Sequence, residues 1–202
     1  MEAIIARDDV RRIDEVLWLS SPVFSRQKNK EHIYDEAVKL GEDIARKTPI
    51  HMATLEKDIY RYGIAHIVTF SDANIHDESH RAYYLPETKM IQYNDNVLEK
   101  LYQFCEQEKI HLEKREVLQM ILLHEFFHHL EEWHYETVDM TLSKKIGCRI
   151  NPIYREIAAF AFVNAYIQPI KCQCIDLIWL KYAQPKLFKN IESILKTLRM
   201  AL

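Results

Sequence analysis

Near the middle of this 202-residue chain stands His124-Glu125-Phe126-Phe127-His128, the pattern H-E-x-x-H. Residues four apart on a helix lie one above the other. Both imidazoles would therefore face one ion, and two imidazoles at that spacing suit zinc. Glu125, beside the first ligand, would reach a water on that ion. Zinc lowers the pKa of such a water, and a carboxylate can take its proton as it attacks a carbonyl. Met120-Ile121-Leu122-Leu123 make the preceding turn apolar. Two histidines and a glutamate buried there without a partner would be costly. A solvated polar helix face is the bland reading. It suits Glu131, Glu132 and Glu136, but not the apolar turn before His124.

Catalytic zinc keeps three protein ligands and one open position, so a third ligand must lie elsewhere. Glu156 is one candidate. Ala159, Phe160 and Val163 follow it at three, four and seven residues, so Glu156 shares their core-facing stripe. A carboxylate amid Ile157-Ala158-Ala159-Phe160-Ala161 calls for a partner. Otherwise it is a solvated Glu near a helix start, favoured by the dipole. His134 is the second candidate, because His124, His128 and His134 keep the H-E-x-x-H-x-x-G-x-x-H spacing of metzincins. The glycine that bends the metzincin chain back to the metal is Glu131 here, which favours Glu156.

Acyl chemistry also needs a group that steadies the oxyanion. Tyr154, two residues before Glu156, is taken for that role beside Glu125. His76, His80, Tyr83 and Tyr84 are further candidates, and alternation along a strand lets only one of the two tyrosines face the site. The bland reading of each is an ordinary half-buried aromatic or a surface histidine. His129 points about 100° away from His128 and reads as a supporting or surface residue.

His124-Glu125-Phe126-Phe127-His128-His129, followed by Glu156-Ile157-Ala158-Ala159-Phe160-Ala161, resembles the ImmA/IrrE family of metallopeptidases. The upstream order is similar too, with a Gly-Ile-x-x-x-Val-like strand from Gly63 to Val68 and a hairpin ending near Ile91 to Asn94. The resemblance spans roughly residues 31–169. It implies a gluzincin-like site in which His124, His128 and Glu156 hold Zn2+ and Glu125 is the base. It implies a mainly helical, zincin-like α+β domain with a small antiparallel sheet packed on the active-site helix. Several members cleave a helix-turn-helix repressor. No DNA-binding domain is recognisable here, so such a substrate would be a separate protein. Phe126-Phe127 stands where the family usually has Leu-Gly.

Elements of helix, small sheet and helix must position these residues. Apolar periodicity predicts helices over 8–19, 31–47, 96–109, 112–133 and 151–168, a short one after Thr54, an apolar segment over 175–182, and an amphipathic terminal helix after Pro185. The β-branched run Ile64 to Phe70 predicts a strand, and residues 81–85 and 89–94 a hairpin around Pro86-Glu87-Thr88. The stretch Lys89 to Asn94, if it lies at a sheet edge, could pair with an extended peptide. Helices after a sheet give an α+β class. We read 1–202 as a single domain, with a helical extension over 1–30, a core over 31–169 and terminal helices over 170–202.

Composition narrows the alternatives. The net charge of −3 argues against a nucleic-acid-coating surface. Three glycines, Gly41, Gly63 and Gly147, cannot build a phosphate loop. The N-terminus lacks the pattern of a secretory signal, and the longest uncharged stretch, Ile157 to Ile170, is too short to span a bilayer. Cys105, Cys148, Cys172 and Cys174 are then reduced thiols in a cytoplasm, and the close pair Cys172 and Cys174 lacks the second pair of a structural zinc site. The expectation is a cytoplasmic zinc metallopeptidase acting on a protein or peptide, with no membrane or direct nucleic-acid partner. The rivals are a zinc-containing interaction module that does not cut, a metzincin-like enzyme using His134, and a helical scaffold in which the motif is accidental.

Overall fold

The computed structural model describes residues 10, 11, 13–15, 29–71, 81–167 and 170–200. The predicted helix over 8–19 falls mostly outside them; residues 10, 11 and 13–15 are helical. Helix α1 (Lys30–Lys47) buries Ile33, Tyr34, Ala37, Gly41, Ile44 and Ala45 on one face. A turn of 3-10 helix (Met52–Thr54) and helix α2 (Leu55–Arg61) follow. Gly63, at φ +99°, makes the left-handed turn that frees the chain to enter a strand.

The sheet has strands β1 (His66–Phe70), β2 (Ala82–Leu85) and β3 (Met90–Asn94), in the order β1-β3-β2. The β2–β3 hairpin is antiparallel as expected, with Tyr84 opposite Ile91. β1, however, pairs with β3 in parallel, His66 opposite Met90, so the sheet is mixed rather than antiparallel. A long connection separates β1 from β2, so neighbourhood in sequence does not set its partner. β3 takes the centre, and its Ile91 is fully buried.

Asn94 ends β3 and caps helix α3 (Asp95–Gln107), its side chain accepting from the Asn96 and Val97 amides. Helix α4 (Lys114–Trp133) opens on a reciprocal capping box between Glu113 and Glu116. Helix α5 (Val138–Ile146) was not expected; it is short and ends on Gly147 at φ +77°. Asn151-Pro152 forms a turn rather than the first helical residues, with Asn151 accepting from the Ile153 amide, and helix α6 runs over Tyr154–Tyr166. Helices α7 (Cys172–Ala183) and α8 (Pro185–Met200) complete the chain. The class is α+β.

The core forms where α6 lies between α1 and α4. Gly41 permits the α1 approach: a Cβ there would sit 2.2 Å from the Ala158 carbonyl oxygen. On the α4 side, Phe126 and Phe127 are fully buried, and Phe127 packs 5.4 Å from the Phe162 ring. The two bulky residues of the motif are thus absorbed by the core. β2 and β3 pack on α4, and Lys89 at the hairpin turn lies 3.6 Å over the Trp133 ring. Among the described residues no helix is long and apolar enough to cross a membrane.

Candidate metal centre

Helical geometry stacks His124 and His128 on one face of α4, with ring centroids 5.1 Å apart. α6 delivers Glu156 to the same face from its first turn. His124 Nε2 lies 3.1 Å from Glu156 Oε2, and His128 Nε2 lies 3.5 Å from Glu156 Oε1. One donor atom from each residue falls within 4.8 Å of the others. All three side chains are mostly buried, and Phe160 packs 5.1 Å from the His124 ring. Two imidazole nitrogens and a carboxylate oxygen match the donor set of a catalytic zinc site.

The electrostatics are those of a tight cluster of opposite charges. Burial opposes the Glu156 charge, but contacts with His124 and His128 take its pKa far below the usual carboxylate range. Burial likewise opposes a charge on His128, yet Glu131 and Glu156 raise it to about 10.

Glu131 overturns an expectation. It is not on a solvated face but 1% exposed. Its Oε2 lies 3.0 Å from His128 Nδ1, its Oε1 accepts from the Val138 amide at 2.9 Å, and Arg155 Nε donates to it at 3.1 Å. Arg155 Nη2 also donates to Glu132 at 2.8 Å. The reason is the turn after α4, which folds α5 and the start of α6 over the last turn. One signal lay in the sequence: Glu131 is three residues from His128 and shares its helix face.

Glu125 borders a cleft of about 660 Å³ together with His124, His128 and Glu156. β2 supplies part of the wall through Tyr83 and Tyr84. Both tyrosines border the cleft, although their rings pack against different neighbours, Tyr83 on Phe70 and Tyr84 on His129. β3, expected as a possible edge, is central, so among the described residues the edge strand beside the cleft is β2.

Tyr154 is not brought to the cleft. It is 0% exposed and absent from the lining, and burial pushes its pKa up to about 12. Two residues correspond to about 200° around a helix, so Tyr154 and Glu156 face nearly opposite ways. Tyr84 is already engaged. Trp133 Nε1 donates to its hydroxyl at 2.7 Å, and the hydroxyl lies 2.9 Å from His129 Nδ1. His129 Nε2 donates to the Tyr62 carbonyl at 2.9 Å, so its Nδ1 is the acceptor for the Tyr84 proton. His134 sits just past α4, with Nε2 2.7 Å from the same carbonyl, and does not join the donor cluster. His76 and His80 lie outside the described residues.

No protein-family model, curated protein or solved structure matches this chain.

Proposed function

We propose that this chain is a zinc-dependent metallo-endopeptidase, with His124, His128 and Glu156 as the zinc ligands and Glu125 as the general base. The observation that carries the reading is the convergence of three donor atoms from two helices in a cleft that Glu125 borders. The zinc, when bound, supplies a Lewis acid that acidifies water and polarises a carbonyl. Glu125 takes the proton of the attacking water on a carboxylate oxygen and hands it to the leaving amine. Among the described residues β2 is an edge strand and borders the cleft, where an extended peptide can add as a further strand, which supports a peptide as the ligand. The resemblance to ImmA/IrrE peptidases points to a regulatory substrate, a separate helix-turn-helix repressor. Four free cysteines suit a reducing cytoplasm.

Metal analysis and a cleavage assay test this together. The wild type is expected to hold one zinc per chain and Glu156→Ala to lose it. Glu125→Gln should keep the zinc and cleave a quenched fluorescent peptide library about 10²–10⁴-fold more slowly. A Glu125→Gln variant that cleaves as fast as the wild type overturns Glu125 as the base, and a zinc-loaded wild type that cleaves nothing overturns the peptidase reading and leaves a zinc-containing interaction module. Absence of zinc from the supplied wild type overturns the metal reading.

A further inference from the structure

The most deeply buried charged side chain of the centre is not one of its three candidate ligands. Glu131 has three donor groups directed at it: the Val138 amide, Arg155 Nε and His128 Nδ1. Taking a carboxylate out of water is costly unless its oxygens are satisfied, and these donors satisfy both of them. Two of the donors come from the metal centre's own helices. Arg155 precedes Glu156 on α6, and His128 is the second histidine of α4.

The consequence for His128 follows from proton counting. A neutral imidazole carries one proton, on Nδ1 or on Nε2. An ionised carboxylate only accepts, so a carboxylate at Nδ1 selects the ring with its proton there. The bare nitrogen is then Nε2, which faces Glu156. The opposite tautomer would present a proton to an ion instead of a lone pair. Arg155 adds a mechanical element. Its pair with Glu131 ties α6 to α4 one residue away from Glu156, beside the contacts Glu156 itself makes.

We propose that Glu131 is a positioning residue of the metal centre. It accepts the Nδ1 proton of His128, aims Nε2 at the ion, and through Arg155 holds the Glu156 helix in register with α4. The proposal rests on the zinc reading above.

Zinc itself is the probe, and Glu131→Gln the principal variant. Its carboxamide oxygen can still accept from Val138 and Arg155, but its NH2 offers a donor where His128 Nδ1 requires an acceptor. Zinc affinity, read by competition with a chromogenic chelator, is expected to fall about 10–100-fold. The metal-free variant is expected to melt lower than the wild type, because Arg155 loses a buried charged partner, so affinities are compared well below both melting points. In the cobalt-substituted protein the visible d–d bands should shift. Glu132→Gln is the control: it removes the same charge from the other partner of Arg155 without touching a ligand, and should stay within about threefold of the wild-type affinity. Nitrogen-15 NMR of the zinc-loaded wild type needs no variant to fold, and should place the His128 proton on Nδ1 and the metal on Nε2. Equal affinity in wild type and Glu131→Gln, an equal fall in Glu132→Gln, or a metal on Nδ1 overturns this assignment alone. A wild type that takes up no zinc overturns it together with the metal reading.

Discussion

Two faces of α4 carry adjacent histidines in opposite surroundings. His128 faces α6, where Glu131 and Glu156 outweigh burial and raise its pKa to about 10. His129 faces the sheet. Its partners there, the Tyr84 hydroxyl and the Tyr62 carbonyl, are neutral, and burial lowers its pKa. Both rings are largely shielded from solvent and both make two polar contacts. Burial therefore sets the sign of the shift where the partners are neutral, and charged partners reverse it. Carboxylates elsewhere in the molecule obey the same division. Glu156, between two imidazoles, is driven far toward its charged form. Asp14 is more deeply buried than Glu156, and its contacts are the Tyr34 hydroxyl at 2.7 Å and the Gln173 amide at 3.2 Å. Burial, only partly offset by those bonds, takes its pKa up to about 7.

The strongest way to break this division is to remove one charge from each kind of site. Glu156→Gln keeps the shape of a ligand and removes its charge. Its zinc affinity should fall by more than the roughly 100-fold that loss of an outer partner costs. Asp14→Asn removes a more deeply buried carboxylate from the neutral network and should leave zinc affinity unchanged. Chelator competition on both variants measures this. A large loss in Asp14→Asn would mean that the two networks are coupled through α1 and α6.

Stability against pH gives the next largest effect. Folded Asp14 keeps its proton up to about pH 7, whereas an unfolded Asp releases it near 4. Between those values the unfolded chain binds fewer protons, so this group makes stability fall as pH rises. The loss is complete above the folded pKa. Urea unfolding of wild type and Asp14→Asn should therefore coincide near pH 4 and diverge in favour of the variant by on the order of 3 kcal/mol at pH 8. Parallel curves would show that Asp14 is not held in its neutral form.

The same division explains what could be read from the sequence. H-E-x-x-H and the Glu156 stripe are local helical patterns, and local geometry brings His124, His128 and Glu156 together once α4 and α6 cross. The role of Glu131 is not local. Its burial depends on Val138 and Arg155, which reach it only because the chain turns back after Trp133. His134, which matched the metzincin spacing, is occupied by the Tyr62 carbonyl of a distant turn. β1 found its partner across the hairpin, and α5, at nine residues, was too short to announce itself except by the lysines and glycine at its end. Tyr154 was a different kind of miss, since counting degrees around α6 already separates it from Glu156.

The smallest effect belongs to the sheet face and asks whether it is separate from the chemistry. Tyr84 borders the cleft, which invites an oxyanion role for its hydroxyl. Its proton, however, is directed at His129 Nδ1, because the other nitrogen of that ring already donates to Tyr62. Tyr84→Phe should leave the buried His129 nitrogen without its donor, at a cost of about 1 kcal/mol, or a melting point lowered by roughly 2–4 °C. Trp133, at 51% exposure, can turn its N–H to water instead. Zinc affinity should not change, since Tyr84 touches no ligand, and the rate of peptide cleavage should stay within a few-fold of wild type. A 10²–10³-fold slower rate at an unchanged melting point is what loss of an oxyanion donor produces. That result would mean the hydroxyl turns from His129 to the substrate during the reaction, and that α4 serves the chemistry with both faces.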